Sequence, residues 1–351
     1  MSKKIDTCWF GLLLTSLGIF PASAKTADAP DVPVLAAERG TLVEAIATKL
    51  EAEYVFPDIA KEMGDAIRAR AAQGEYGAVP SGELLAEKLT ADLRDVSHDK
   101  HLEVIYQAEG AHDEPAQPSA EDMKSWREAA AKDNFGFDRT ERMDGNVGYV
   151  EFRSFAPPEI AAETASAAMS FVANTDALII DLRRNGGGFP EMSAYLASYL
   201  FDERTHLNDI YFRSGDRLEQ FWTVPYVPGP MFGGKKSVYV LTSRETFSCA
   251  EDFTYALKNL KRATIIGEVT GGGAHPTRTF KVTDHFAVAV PFARGISPIT
   301  HTDWEGTGIT PDVVVPADDA LKIAYKTALE YIIGTTTDTD RKEQLKKLLA
   351  K

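Results

Sequence analysis

Cysteine is scarce in this chain. Only Cys8 and Cys249 occur among its 351 residues, and Cys8 lies in an N-terminal apolar run of the kind removed with a signal peptide. Removal of that run leaves Cys249 alone, which excludes an intramolecular disulfide. The sequence has no H-E-x-x-H motif and no Cys/His pair with zinc spacing, so we expect no metal. A packed core must therefore hold the fold.

Basic residues are in the minority. Lys and Arg number 38 against 52 Asp and Glu, which gives a net charge of -14. Nucleic acid is excluded as the main partner, because phosphate binding requires a basic patch. No Gly-rich stretch is followed by Gly-Lys-Ser/Thr, and G-x-G-x-x-G spacing is missing, so we expect no cofactor. Small molecules and polypeptides remain as partners, and a homo-oligomer stays open.

Long hydrophobic runs are also missing. The longest, Cys8 to Phe20, is too short for a membrane span, which requires ~20 residues. It follows Lys3 and Lys4 and precedes an A-x-A cleavage signal at Ala22 to Ala24. Residues 1–24 are therefore predicted to be a cleavable signal peptide. We expect an exported protein, periplasmic or secreted, that does not insert into the membrane after the signal is removed.

The first part of the remaining chain has helical periodicity. Apolar residues recur at helical spacing over Leu35–Tyr54, Ile59–Ala72 and, behind a Ser N-cap, Ser81–Val96. Residues 25–107 are predicted to form a helical N-terminal domain that ends in a strand. Residues 108–145 are predicted to be a linker with one short helix.

The character changes at Asn146, where apolar strands begin to alternate with helices. Ala177–Leu182 is apolar apart from Asp181, as expected of a strand buried on both faces. This alternation predicts a layered α/β domain over 146–335, followed by a C-terminal helix or tail at 336–351. The aromatic and proline-rich stretch 221–232 fits either a lid or pocket wall, or a loop packed by its own side chains. Further predicted elements are strands at Val147–Phe155, Ser237–Thr242 and Ala263–Glu268 and a hairpin of Thr277–Thr283 with Phe286–Phe292.

Two segments at strand ends contain residues that could take part in catalysis. Gly186, Gly187 and Gly188 lie where a buried strand turns into a helix, and could hold an anion or oxyanion or simply form a tight turn. Ser248 stands at the start of a later helix, where a nucleophile would lie beside free backbone N–H donors. It also fits the capping box S-x-x-E, in which its role is structural. Cys249 is a rival nucleophile.

A base and an orienting carboxylate have candidates elsewhere. Of the seven histidines, His101 opens an apolar strand behind Asp99 and would be held on a rigid element. Glu305 lies in a Gly-rich turn before Pro311 and is a candidate carboxylate, although the turn equally fits a strand entrance.

The ordered motifs D-K-H-L, G-Y-V-x-F, D-L-R-x-N-G-G-G, T-S-x-x-T-x-S-x-x-E-D-F, G-E-x-T-G-G-G and W-E-G-x-G-I-x-P-D-V resemble the tail-specific (C-terminal-processing) serine peptidase family. Within it, the chain is most similar to the branch of the tricorn core protease and the interphotoreceptor retinoid-binding protein modules. The resemblance implies a crotonase-like (ClpP/crotonase) β-β-α core and a helical N-terminal domain. It also implies a serine endopeptidase that forms an acyl-enzyme on Ser248, with His101 as base and Glu305 as orienting carboxylate. The implied oxyanion donors are the backbone N–H groups of Cys249 and of Gly187 or Gly186.

The chain departs from the family pattern at two places. The lysine base of the Ser-Lys branch is replaced by Gly273, so a dyad of that type requires another lysine, such as Lys100 or Lys258. The segment Leu102 to Asn146 is too short for a PDZ domain, so we expect none. His98 is the second choice as base. A histidine base predicts that activity rises with pH near the imidazole's ordinary pKa of ~6.5. The alternative function is a non-catalytic binding module for small apolar ligands on the same scaffold.

Overall fold

A computed structural model describes residues 36–113 and 119–350 of the chain. The predicted signal peptide at 1–24 lies outside these ranges. Across them, no helix combines the length and the apolar character that crossing a membrane requires.

Three helices open the described chain: α1 (Ala36–Glu53), α2 (Pro57–Ala72) and α3 (Gly82–Ser97). Proline fits the first turn of α2, where its missing N–H costs no hydrogen bond. Ser81 caps α3, since its Oγ accepts a hydrogen bond of 3.2 Å from the backbone N–H of Leu84. The predicted helical N-terminal region is therefore confirmed.

A three-stranded antiparallel sheet joins these helices to the rest of the chain. It consists of β1 (Glu103–Tyr106), β9 (Thr277–Lys281) and β10 (Phe286–Pro291), in the order β1-β10-β9. The β9–β10 hairpin follows the prediction from sequence. Its Val288 faces Val104 of β1 and lies in one apolar cluster with the three N-terminal helices. The N-terminal core is thus completed by residues that come much later in the chain.

A six-stranded sheet forms the centre of the larger region. All neighbouring strands are parallel except the edge strand β2, which runs antiparallel to β3. The strand order is β12-β8-β7-β4-β3-β2. The six strands are β2 (Phe137–Met143), β3 (Val147–Phe152), β4 (Ala177–Asp181), β7 (Ser237–Thr242), β8 (Thr264–Gly267) and β12 (Val313–Val314).

Helices cover both faces of this sheet. Leu178 and Ile180 of β4 pack towards the side of three helices, whereas Ala177 and Ile179 pack towards the side of two C-terminal helices. Successive strand residues point to opposite faces, so an uninterrupted apolar run is what a doubly covered strand requires. The helices are α5 (Pro158–Val172), α6 (Pro190–Ser198) and α7 (Cys249–Asn259) on one face, and α8 (Ala317–Thr335) and α9 (Thr339–Leu349) on the other.

The remaining elements are a short helix and a smaller sheet. Helix α4 (Ala120–Lys132) lies in the predicted linker. The sheet has the order β11-β5-β6 and consists of β5 (His206–Phe212), β6 (Arg217–Trp222) and β11 (Ala293–Ile296). The stretch 221–232 begins at the end of β6 and then packs Val227 and Phe232 into the main core, so most of it is a loop anchored by its own side chains.

Candidate active site

Ser248 lies where strand β7 leads into helix α7, as the N-cap of the helix. Its backbone has φ 55° and ψ -119°, a conformation that a residue with a Cβ rarely adopts. The surrounding hydrogen bonds hold it there. The Ser248 N–H donates to Glu251 Oε2 at 2.8 Å, and the Ser248 carbonyl accepts from the N–H groups of Glu251 and Asp252. These hydrogen bonds therefore hold Ser248 in a strained backbone conformation at the turn between strand and helix.

Glu251 ties the start of α7 to the second glycine-rich turn. Its carboxylate is wholly buried and also accepts hydrogen bonds from the N–H groups of Gly272 and Gly273, at 2.7 and 2.9 Å, and from the hydroxyl of Thr270. Burial raises the pKa of Glu251, and these donors oppose that rise. The capping-box pattern correctly identified Glu251 as the partner of the Ser248 N–H, but not its role in holding the turn.

The first glycine-rich turn packs directly against Ser248. A Cβ at Gly187 would lie 2.8 Å from Ser248 Cβ and 3.0 Å from the nitrogen of Cys249, and its φ is +107°. A Cβ at Gly188, where φ is +138°, would lie 2.3 Å from the carbonyl oxygen of Phe155. Both positions therefore require glycine, for the close approach and for the positive φ.

Of the backbone N–H groups that the resemblance implied as oxyanion donors, those of Gly187 and Gly186 have acceptors and that of Cys249 has none in the part of the chain that the structure describes. The Gly187 N–H donates to Asn185 Oδ1 at 2.9 Å, and the Gly186 N–H donates to the carbonyl of Arg153 at 3.2 Å. By contrast, the N–H groups of Gly188 and Cys249 have no acceptor within the described ranges. The Cys249 thiol is buried, and burial raises its pKa well above the ordinary value, which disfavours it as a nucleophile.

His101 lies between α3 and β1, with its side chain only 5% exposed. Its backbone N–H donates to Asp99 Oδ1 at 3.0 Å, which fixes the turn. The imidazole packs on Phe247, with ring centroids 4.8 Å apart. Both ring nitrogens are buried and have no hydrogen-bond partner among the described residues, so His101 makes no hydrogen bond to Ser248 in this conformation. Burial lowers the pKa of His101 to about 4, which keeps the imidazole neutral.

Gly273 stands at the position where the Ser-Lys branch has its lysine, and it packs closely against His101. A Cβ at this position would lie 2.2 Å from Phe247 Cζ and 2.6 Å from His101 Cε1. A lysine in the place where the Ser-Lys branch has it would therefore collide with the imidazole. The two other lysines considered are engaged elsewhere: Lys100 Nζ donates to the carbonyl of Gly271 at 2.6 Å, and Lys258 Nζ lies 2.5 Å from Asp312 Oδ1.

A buried group of charges surrounds His101. The ligand-capable atoms of Asp99, His101 and Glu305 all lie within 4.8 Å of one another, the one such group of metal-ligating type in the described part of the chain. Asp99 Oδ2 is 2.6 Å from His275 Nδ1 and accepts from the Tyr54 hydroxyl at 3.1 Å. Glu305 Oε2 accepts from the Ala274 N–H at 2.5 Å and lies 3.6 Å from His275 Nδ1. Glu305 Oε1 is buried without a partner in the described ranges.

The pKa values of this group follow from its pairing. Burial raises the pKa of Glu305 to about 7. Burial acts against the charge of Asp99 too, but its hydrogen bond and charge pairing with His275 lower the pKa of Asp99 below its ordinary value. The same pairing raises the pKa of His275 despite burial. The charged form of His275 is thus favoured by its place between Asp99 and Glu305.

The structure brings His101 and Glu305 together and places Ser248 directly after Phe247, the residue that packs on His101. His98, the second choice as base, is exposed at the C-cap of α3. Sequence reasoning missed His275, which was only one of seven histidines. Its one signal was its place directly after the G-G-G-A turn, since the partner Asp99 lies 176 positions away.

A small pocket opens beside Ser248 and has a volume of about 40 Å³. None of its lining residues comes from the stretch 221–232. They are Gly188, Pro190, Asn208, Ile210, Ser248, Cys249, Asp252, Gly273, Ala274, Pro276, Gly295 and Trp304.

Curated relatives are similar in sequence to about half of this chain. It is 29% identical over 179 residues to carboxyl-terminal-processing peptidase 2 of Arabidopsis thaliana chloroplasts, which is 48% of this chain and 32% of that protein. It is 27% identical over 183 residues to a carboxyl-terminal-processing protease of Picosynechococcus, which is 52% of this chain and 42% of that protein. The chain thus spans less than half the length of these relatives.

Solved structures share the fold at low identity. A crystal structure from Parabacteroides merdae ATCC 43184 has a TM-score of 0.57 and 20% identity, and the match covers 83% of this chain and 96% of that one. The tricorn protease has a TM-score of 0.53 and 14% identity, over 90% of this chain and 37% of that one. The predicted α/β fold with a helical N-terminal region is thereby confirmed.

Two sequence models of one family match in the chain's own order. Peptidase family S41 matches residues 146–315, and the N-terminal domain that this family has in eukaryotic IRBP matches residues 23–134. The first match covers both glycine-rich turns, Ser248 and Glu305, and the second covers His101. The chain therefore belongs to peptidase family S41, the family of the C-terminal-processing peptidases.

Proposed function

We propose that this chain is a serine endopeptidase that hydrolyses peptide bonds through an acyl-enzyme on Ser248. The observation that carries the proposal is the backbone of Ser248, held at φ 55° and ψ -119° beside two backbone N–H groups that have no acceptor in the described ranges. A helix cap alone does not need such a conformation, because Ser81 caps α3 with φ -138° and ψ 162°. Strain of this kind persists where the surrounding structure enforces it for function.

In the proposed reaction, Ser248 Oγ attacks the carbonyl carbon of the scissile bond and His101 takes the hydroxyl proton. The oxyanion accepts hydrogen bonds from the N–H groups of Cys249 and Gly188, with Gly187 giving the nucleophile its close packing. His101 then donates the proton to the leaving amine. Water, deprotonated by His101, releases the acid product and regenerates Ser248.

The charges around His101 fit this cycle. The imidazole begins neutral, because it is buried, and becomes a cation when it takes the serine proton. Glu305, whose Oε1 has no partner in the described ranges, is placed to orient the ring and to offset that new charge. His275 already balances Asp99, so the carboxylate of Glu305 is left for the catalytic imidazole. The Ser248–His101 hydrogen bond is expected to form when substrate is bound, as catalytic hydrogen bonds often do.

The pocket beside Ser248 fits part of a peptide substrate and not a whole apolar ligand. Its volume of about 40 Å³ suits one small side chain. Sites that enclose whole small-molecule ligands are far larger, ~300–1,000 Å³.

The test is active-site labelling with a fluorophosphonate probe, followed by intact-mass analysis and hydrolysis of a peptide library. We expect one probe per chain, located on Ser248, and peptide cleavage that is lost in Ser248→Ala. His101→Ala should abolish labelling while circular dichroism stays unchanged. A wild-type protein that never reacts with the probe, or a Ser248→Ala protein that still cleaves peptides, would overturn the proposal.

We further propose that the protein is exported, on the strength of the predicted signal peptide at 1–24. N-terminal sequencing of protein expressed in a bacterial host should give a chain that starts near Lys25 in the periplasmic fraction. An intact Met1 in the cytoplasmic fraction would contradict export and would leave the peptidase proposal untouched.

A further inference from the structure

The pocket beside Ser248 has a polar end that the proposed reaction does not use. Asn208 of β5, only 4% exposed, donates from Nδ2 to Asp252 Oδ1 at 2.5 Å. The other carboxylate oxygen, Asp252 Oδ2, accepts a hydrogen bond of 2.7 Å from the Ser193 hydroxyl. Both carboxylate oxygens therefore accept a hydrogen bond, and Asn208 and Asp252 both line the pocket.

This pairing fixes the orientation of the Asn208 amide. A flipped amide would direct its oxygen at the carboxylate and lose the charge-assisted hydrogen bond. Asn208 Oδ1 is therefore held in place, and it is buried without a hydrogen-bond donor in the described ranges. A buried acceptor without a donor is destabilising. A donor delivered by a ligand would remove that destabilisation.

The rest of the pocket limits what such a ligand can be. Glycine, alanine, proline, isoleucine and tryptophan make up most of the wall, and the volume is about 40 Å³. The indole N–H of Trp304 is already used, since it donates to the carbonyl of Gly273 at 2.8 Å. A long cationic side chain does not fit this volume, and a purely apolar one would leave Asn208 Oδ1 unpaired. A small side chain with one hydroxyl group satisfies both the volume and the acceptor.

We infer that this pocket receives the P1 side chain of the substrate and selects serine or threonine, whose hydroxyl donates to Asn208 Oδ1. The inference rests on the proposed function, because P1 is defined by the bond that Ser248 attacks. Asn208 acts as a specificity residue and Asp252 as the residue that positions it.

The experiment uses peptides that differ only at P1 and compares each hydroxyl side chain with an isostere. Serine is paired with 2-aminobutyrate, and threonine with valine, so that O–H is exchanged for CH₃ at nearly constant volume. We expect kcat/KM to be at least ~10-fold higher for each hydroxyl peptide, because the isostere leaves the buried acceptor unpaired. Asn208→Leu should bring both ratios close to one. Ile210→Val, which alters the wall without touching a polar atom, should leave the ratios as they are.

Two outcomes would overturn the inference: an isostere that is cleaved as fast as its hydroxyl partner, or ratios that survive Asn208→Leu. Binding of the same peptides to Ser248→Ala, measured by calorimetry, tests the pocket without turnover. A hydroxyl preference in binding without any cleavage by the wild type would sink the proposed function and retain the pocket. Cleavage without a hydroxyl preference would sink the pocket and retain the proposed function.

Discussion

Gly273→Ala is the change that most directly probes the contact between the two parts of the site. The added Cβ would lie 2.6 Å from His101 Cε1 and 2.2 Å from Phe247 Cζ, whereas ordinary contact begins at 3.4 Å. The imidazole is therefore about 0.8 Å too close, and the phenyl ring about 1.2 Å too close. Phe247 is partly exposed and can move outwards, but the His101 side chain is only 5% exposed and must shift within the core.

The expected cost is large in rate and moderate in stability. A misplacement of about 1 Å at a catalytic group lowers the rate ~10²-fold. Overpacking a buried site by one methyl group costs about 1–3 kcal/mol of unfolding free energy. Gly273→Ala should therefore remain folded while the rate constant for fluorophosphonate labelling of Ser248 falls ~10²-fold.

The matched control is Gly334→Ala, where the added Cβ would meet nothing within 4 Å. It should label at the wild-type rate. The assay is gel-based labelling over time at fixed probe concentration, together with urea denaturation of each variant. Wild-type labelling by Gly273→Ala, with unchanged stability, would refute the argument that His101 and Ser248 are held in register through this glycine.

Three further predictions concern the buried charges. The pKa of Glu305 is raised to about 7 and that of His101 is lowered to about 4, so kcat/KM should rise with pH through about 7 as Glu305 loses its proton. Glu305→Gln should lower kcat/KM and remove this rise. A wild-type pH profile of kcat/KM that is flat from pH 5 to 9 would contradict the assignment. Because the pKa of His275 is raised, its pairing with Asp99 stabilises the fold fully below pH ~6.5, and this stabilisation is lost as pH rises through the folded-state pKa. His275→Gln should lower the free energy of unfolding by about 3–5 kcal/mol near neutral pH and by much less at high pH, as measured by urea denaturation across pH. An equal loss at every pH would count against the ion pair. Glu251→Gln replaces a carboxylate that accepts four hydrogen bonds by an amide with one acceptor oxygen. It should therefore destabilise the fold by a few kcal/mol and slow the labelling of Ser248. Unaltered labelling would show that Glu251 does not hold the serine conformation.

Local patterns were sufficient for the central elements. The run Ala177–Leu182, apolar apart from Asp181, identified a strand covered on both faces, because four consecutive apolar residues leave no water-facing position along most of it. The S-x-x-E pattern located the start of α7 and the Glu251 partner of the Ser248 N–H. Each of these signals depends on residues only a few positions apart, which is the range over which backbone propensity and periodicity act.

The backbone N–H groups that remain free beside Ser248, which we propose as oxyanion donors, could not be derived in the same way. All three glycines permit the turn, and which N–H remains free depends on where the Asn185 side chain and the Arg153 carbonyl lie. These partners engage Gly187 and Gly186 and leave Gly188. The pairing of His275 with Asp99 was equally hidden, since it joins residues that only the folded sheets bring together.

The activity expected from His101 depends on the β1-β10-β9 sheet as much as on the residue itself. His101 lies just before β1, and β1 pairs with β10 through Val104 and Val288, while His275 lies just before β9. One small sheet thus positions His101 and His275, and it is built from segments more than 170 residues apart in the chain. Tyr54 adds a direct tie from the N-terminal helices to Asp99. The N-terminal helices therefore do more than add a core: through this sheet they hold His101 against Phe247, the residue directly before Ser248. For that reason the proposed nucleophile and its strained turn can be built within residues 146–335, whereas the proposed base requires the docking of both regions.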